Sequence, residues 1–113
     1  MEITMHRGDV QPVSFTARYE DGAPIIPVDR AYFTVKRDFS SLAPLFQKKL
    51  SDGTIVELSE GEYGFYIEAS DTDNLEYGDY VCDIAIVSEP QHIKKTLTGT
   101  LTITEEATFA GNE

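Results

Sequence analysis

The chain has 113 residues, of which 41% are hydrophobic, and a formal net charge of −11 at pH 7. This length and apolar content predict one domain that buries its own core without metal or disulfide support, and the lone cysteine, Cys82, excludes an internal disulfide. The acidic balance argues against binding to a phosphate backbone, which needs clustered Lys and Arg, so we expect no nucleic-acid partner.

The first predicted strands show a two-residue alternation of apolar and polar side chains, which is typical of half-buried strands. From Val13 to Tyr19 every second residue is apolar, and Asp21-Gly22 supplies the turn that follows. The next strand repeats the pattern, and its predicted inward residues are Ala31, Phe33 and Val35. These segments predict two strands of a sheet with one face on the core.

Three further strands are predicted in the middle of the chain. One runs from about Pro44 to Leu50, and the turn at Ser51-Asp52-Gly53 leads into a strand at Thr54–Leu58. After a turn at Glu60-Gly61, a third strand is predicted to face inward through Tyr63, Phe65 and Ile67. The spacing of these turns, every 8–12 residues, is the pattern of an antiparallel sandwich.

After Ser70 the alternation stops, and the sequence Asp71-Thr72-Asp73-Asn74 is rich in residues that cap a helical turn. We predict one short helical turn over Asp71–Leu75, with Leu75 reaching the core. The same oxygen-bearing residues could instead bind Ca²⁺, but they do not match an EF-hand loop because Leu75 replaces an expected Asp or Asn ligand. We therefore expect no metal and no cofactor.

The last two predicted strands complete the fold. The first has an inward row of Tyr80, Cys82, Ile84 and Ile86. The second is predicted to face inward through Leu97, Gly99, Leu101 and Ile103, with the intervening threonines facing outward. We predict an all-β fold, an immunoglobulin-like antiparallel β-sandwich of about seven to nine strands over residues 1–106, followed by a flexible tail at 107–113.

The stretch from Leu75 to Cys82 predicts a structural corner formed by Leu75, Gly78, Tyr80 and Cys82. In immunoglobulin-type sandwiches a Tyr two residues before a Cys closes the chain corner through a hydrogen bond from its hydroxyl to the backbone. That bond stabilises by about 1 kcal/mol without any disulfide. We predict that Cys82 is a buried small apolar residue, and the alternative is a reactive thiol.

Charge and aromatic residues predict the contact surface. No Lys or Arg occurs between Lys49 and Lys94, a segment with many carboxylates. This segment is either a solvated acidic surface or a contact with a basic partner. Outward tyrosines favour protein contacts, with sugar stacking as the alternative. The interface candidates are Tyr32, Tyr66, Tyr77, Asp71, Asp73 and Glu76.

Catalytic and targeting signals are absent from the sequence. The carboxylates form no recognisable catalytic constellation, and neither His6 nor His92 lies in a motif that would activate a nucleophile. We therefore expect no enzymatic activity and assign no catalytic residue. The N-terminal sequence MEITMHRGD has no apolar core, and no stretch is long enough for a membrane helix. We expect a soluble chain without a signal peptide or a membrane partner.

Several motifs, in order, resemble the N-terminal immunoglobulin-like domain of phage baseplate upper proteins and related tail-fibre proteins. In the first half these are His6-Arg7-Gly8-Asp9, Val13-Ser14-Phe15-Thr16-Ala17, Asp21-Gly22-Ala23-Pro24-Ile25 and Ala31-Tyr32-Phe33-Thr34-Val35-Lys36. In the second half they are Gly61-Glu62-Tyr63-Gly64-Phe65, Asp71-Thr72, Leu75, Gly78, Tyr80-Val81-Cys82-Asp83-Ile84, the threonine-rich stretch 96–103 and Glu105-Glu106-Ala107-Thr108. The resemblance covers nearly the whole chain.

This resemblance implies a structural protein of a phage or prophage particle that contacts other tail or baseplate proteins. Members of the family attach a receptor-binding apparatus to the tail and commonly assemble as trimers, which implies a homotrimer here. The implied location is the virion, or the host cytoplasm before assembly. The alternative, from a different functional class, is a bacterial surface immunoglobulin-like module that binds glycan or protein, which would require an export signal.

Overall fold

The structure is a computed structural model that describes residues 1–105, so the predicted tail at 107–113 lies outside the described residues. The described chain forms eight strands and one short helix, within the predicted range of seven to nine strands. The elements are β1 (Glu2–His6), β2 (Gln11–Thr16), β3 (Arg30–Lys36), β4 (Phe46–Lys49), β5 (Ile55–Ser59), β6 (Glu62–Ile67), α1 (Ala69–Thr72), β7 (Gly78–Ser88) and β8 (Ile93–Thr104).

The strands form two sheets that pack face to face. The five-stranded sheet has the order β1-β8-β7-β3-β4, and the three-stranded sheet has the order β2-β6-β5. The pairing of β2, β6 and β5 in one sheet and of β8, β7 and β3 in the other matches strands B, E and D and strands G, F and C of an immunoglobulin-like sandwich. The predicted all-β sandwich is confirmed. One pair departs from a fully antiparallel arrangement, because β1 runs parallel to β8.

The core lies between the sheets and uses the predicted inward rows. Phe33 of β3 and Phe65 of β6 stack with ring centroids 4.5 Å apart, joining the two sheets at the centre. The predicted inward residues of β3, β6 and β7 are all buried. Each large apolar side chain in these rows, such as Phe33 or Ile67, stabilises the fold by roughly 1.5–3 kcal/mol relative to exposure.

Leu97 is predicted to face the core, but its side chain is 55% exposed and therefore not buried. Leu97 pairs with the buried Ile84 and so lies on the inner side of its sheet. However, the β1 pairing begins only where Glu2 meets Thr100, which leaves β8 at the sheet edge near Leu97. The smaller opposing sheet does not cover this corner.

The predicted helical turn at Asp71–Leu75 is displaced, because α1 spans Ala69–Thr72. The helix begins earlier because the Asp71 carboxylate accepts a hydrogen bond from the Glu68 backbone amide at 2.7 Å, which caps the first turn. Leu75 lies after the helix and packs, partly buried, against the core. Thr72 is fully buried, and its hydroxyl accepts a hydrogen bond from the Gly8 amide at 2.9 Å.

Candidate interaction surface

The structure places the interface candidates in separate regions. Tyr32 is half-buried on the outer face of the five-stranded sheet, whereas Tyr66 is exposed on the outer face of the three-stranded sheet. Tyr77, Asp73 and Glu76 lie on the connection between α1 and β7 and are exposed. These five residues therefore do not form a single site.

Asp71, the sixth candidate, is not an exposed contact residue. Its carboxylate lies 2.6 Å from the ammonium of Lys48, and both side chains are largely buried. The same carboxylate caps α1 through the Glu68 amide. Asp71 therefore has a structural role, because it joins the helix to β4 of the opposite sheet. It is not the exposed contact residue that the sequence predicts.

Tyr77 is held in place by a cation–π contact. The guanidinium carbon of Arg7 lies 4.3 Å from the Tyr77 ring centroid, and Arg7 Nη1 donates a hydrogen bond to the Leu75 carbonyl at 3.3 Å. Nearby, Glu76 lies 4.0 Å from Arg37 in a solvent-exposed ion pair. Tyr77 and Glu76 are thus already partnered within the chain.

The predicted structural corner contains the expected hydrogen bond. The Tyr80 hydroxyl donates to the Glu76 carbonyl oxygen at 2.6 Å. Gly78 has φ +134°, a backbone conformation that L side chains rarely adopt. Cys82 is 2% exposed, and burial, reinforced by the Asp83 charge, raises its thiol pKa to about 11. A thiol with this pKa is protonated at neutral pH, and a protonated thiol is a poor nucleophile. Burial and pKa together support the prediction that Cys82 is a buried small apolar residue.

A groove of about 620 Å³ lies on the outer face of the three-stranded sheet. Gly64 of β6 lies at its centre, paired with Ser14 on one side and Val56 on the other. We call this the Gly64 groove, and its outer-face lining consists of Pro12, Ser14, Val56, Leu58, Gly64 and Tyr66.

Glycine at position 64 allows the groove to exist. A β-carbon built at Gly64 would lie 3.0 Å from Leu58 Cδ1, so Leu58 leans across the space that a side chain would fill. Leu58 and Tyr66 nevertheless remain 59% and 58% exposed, and Val56 is exposed beside them. The three side chains form a contiguous apolar surface, and such surfaces mark interaction sites.

The Gly64 groove has a negative rim. Its charged lining residues are Glu68 and Lys48, and the Lys48 ammonium is paired with Asp71. Glu62 lies on the same outer face of β6 as Gly64 and is exposed. The electrostatic character of the groove is therefore set by carboxylates.

A second apolar surface lies on the loop between β3 and β4, residues 37–45, which we call the β3–β4 loop. Leu42 is 98% exposed, and Phe39 and Leu45 are also exposed. The loop start is ordered by Asp38, whose carboxylate accepts hydrogen bonds from the hydroxyls of Ser40 and Ser41. These hydrogen bonds lower the pKa of Asp38 and fix the turn that presents the apolar side chains.

Sequence reasoning missed both apolar surfaces. For the groove, the usable signal is the two-residue spacing of Val56 and Leu58, which puts both on one face of a strand whose inward residue is Ile55. For the loop, the usable signal is the presence of Phe39 and Leu42 in a serine-containing connection between two strands.

Neither a metal cluster nor a membrane helix is found in residues 1–105. No group of three or more His, Cys, Asp or Glu side chains is arranged to hold a metal ion in this range. No helix there is long and apolar enough to cross a membrane.

Comparison with known proteins assigns the chain to no family. No protein-family model matches the sequence, and no curated protein matches it. The resemblance to phage baseplate domains stays a prediction.

Proposed function

We propose that the domain is a non-enzymatic structural module of a phage or prophage particle, a tail or baseplate component that works through protein–protein contacts. The observation that carries the interaction role is the Gly64 groove, an apolar surface at Leu58 and Tyr66 on a rigid sheet. Protein interfaces commonly combine an apolar centre that includes tyrosine with a polar rim. The groove has this composition.

The rigidity of the groove favours binding to another protein. Val56, Gly64 and Ser14 are held in register by the strand pairing of β5, β6 and β2, and the buried faces of these strands pack on the core. A surface held in this way loses little conformational freedom on binding, so more of its apolar contact contributes to affinity. The particle assignment rests on the ordered motifs in the sequence that resemble baseplate domains.

The particle assignment is tested by detecting the protein in purified virions. Prophage is induced in the strain that carries the gene, particles are banded on a density gradient, and the protein is quantified by mass spectrometry against known tail proteins. We expect a fixed ratio to the tail proteins across the particle band. Absence of the protein from intact particles that contain all other tail components would overturn the particle role.

The alternative is a bacterial surface module that binds glycan, and one observation favours it. Tyr66 presents an exposed aromatic ring inside a groove, which is a geometry that also suits stacking on a sugar ring. A glycan array separates the two functions, because binding that is lost in Tyr66→Ala would support the surface module. The absence of glycan binding together with presence in particles would exclude it.

A further inference from the structure

We propose that the Gly64 groove receives the β3–β4 loop of a second copy of this chain, with Leu42 as the inserted side chain. The inference deepens the proposed function, on which it rests, by naming the partner and both halves of the contact. One copy contributes the groove and the next contributes the loop, so the contact runs head to tail.

The loop has the geometry of an inserted anchor. Leu42 is 98% exposed and lies between two other exposed apolar residues, Phe39 and Leu45. The Asp38 carboxylate, which accepts hydrogen bonds from Ser40 and Ser41, orders the approach to this tip. An apolar side chain held out of its own domain by a structured turn is available for burial in another molecule.

The two surfaces complement each other in charge. Lys36 precedes the tip of the loop and Lys49 follows it at the end of β4, whereas Arg37 is already paired with Glu76. The groove side has Glu62 and Glu68, and its one lining cation, Lys48, is neutralised by Asp71. Apposing the loop to the groove therefore brings cations toward carboxylates, whereas apposing two grooves would bring carboxylates together.

A head-to-tail contact predicts a specific kind of assembly. Because the groove and the loop are different surfaces, each bound pair leaves one groove and one loop unused, and the chain of contacts closes into a ring or continues as a filament. The net charge of −11 opposes association at long range. At physiological ionic strength, charges more than about 8 Å apart are largely screened, which leaves the local attraction.

The test measures molar mass by light scattering behind a sizing column at 0.15 M salt, from about 2 to 200 µM protein. We expect the wild-type mass to rise with concentration above that of one chain. Leu42→Glu and Leu58→Glu each weaken association by about 10- to 100-fold, the effect of removing one buried leucine from a contact. Leu97→Glu is the matched control for Leu58→Glu, since the two leucines are similarly exposed and Leu97 lies outside both surfaces, and this variant should assemble as the wild type does.

Mixing the two variants gives the decisive result. Leu42→Glu keeps an intact groove and Leu58→Glu keeps an intact loop, so an equimolar mixture should form a heterodimer with twice the mass of one chain and nothing larger. A wild-type monomer at every concentration would overturn the proposal, as would a mixture that stays monomeric. Neither result bears on presence in particles, so failure of this inference is distinguishable from failure of the proposed function.

Discussion

The ammonium of Lys48 and the carboxylate of Asp71 lie 2.6 Å apart in a largely buried position, and they join the edge strand of one sheet to the helix that follows the other. The two residues are separated in the sequence by β5 and β6. Asp71 also caps α1 through the Glu68 amide, so one carboxylate fixes both the helix and its position. Loss of this contact would release both constraints.

Replacing Lys48 with Met is expected to lower the free energy of unfolding by about 3 kcal/mol, because it leaves a buried carboxylate without its counter-charge. The measurement is urea denaturation followed by circular dichroism. The matched control is Arg30→Met, which breaks the exposed Arg30–Glu89 pair and should cost less than about 1 kcal/mol. The double variant Lys48→Met/Asp71→Asn should recover part of the loss. Equal losses of stability in Lys48→Met and Arg30→Met would contradict this prediction.

Tyr80→Phe is expected to lower the free energy of unfolding by about 1 kcal/mol, because it removes the hydrogen bond from the Tyr80 hydroxyl to the Glu76 carbonyl. Equilibrium denaturation measures the difference. Tyr66→Phe is the control, because Tyr66 is exposed and the loss of its hydroxyl leaves the corner hydrogen bond intact. A change of only a few tenths of a kcal/mol in Tyr80→Phe would show that this hydroxyl does not stabilise the corner.

The pKa of Cys82, raised to about 11 by burial, predicts a loss of stability at alkaline pH. Between about pH 9 and pH 11 the unfolded chain ionises this thiol while the folded chain keeps it protonated, so unfolding becomes easier as pH rises. Denaturation curves at several pH values measure the slope. Cys82→Ala should lose this part of the slope, and an unchanged slope would contradict the assignment.

Ser88→Ala is expected to raise the free energy of unfolding by about 1 kcal/mol. The Ser88 hydroxyl is buried at the end of β7 and has no hydrogen-bond partner among residues 1–105, so folding strips it of water without compensation. Thermal denaturation measures the change, with Ser14→Ala as an exposed control of nearly zero effect. A destabilised Ser88→Ala variant would show that the hydroxyl is satisfied in solution.

The alternation of side chains was sufficient to predict most of the fold. Phe33, Phe65 and Ile67 are buried as predicted because a two-residue period places them on one face of each strand. Leu97 follows the same period and yet is exposed, because its burial depends on whether another strand covers that corner. Periodicity gives the direction of a side chain relative to its sheet, and coverage is set by the lengths of other strands.

The candidate surfaces could be predicted only in part. The pattern of its own strand predicts that Tyr66 faces outward, whereas the groove around it arises from the register of β2, β5 and β6. The sequence predicts a surface position for Asp71, because nothing in the local sequence indicates its pairing with Lys48. Local patterns therefore identified single residues, and the contacts between distant segments determined which of them share a surface.

The parallel pairing of β1 with β8 has a mechanical consequence. Glu2 pairs with Thr100 and His6 with Thr104, so the chain enters this ladder at one end of the sandwich and leaves it at the other. A stretching force applied between Met1 and Glu105 acts along both strands and loads their hydrogen bonds together in shear. Bonds loaded in this way break collectively, whereas a hairpin pulled from its open end unzips one bond at a time. Under such a force, the β1–β8 pairing therefore resists separation of the two strands more than an unzipped hairpin would.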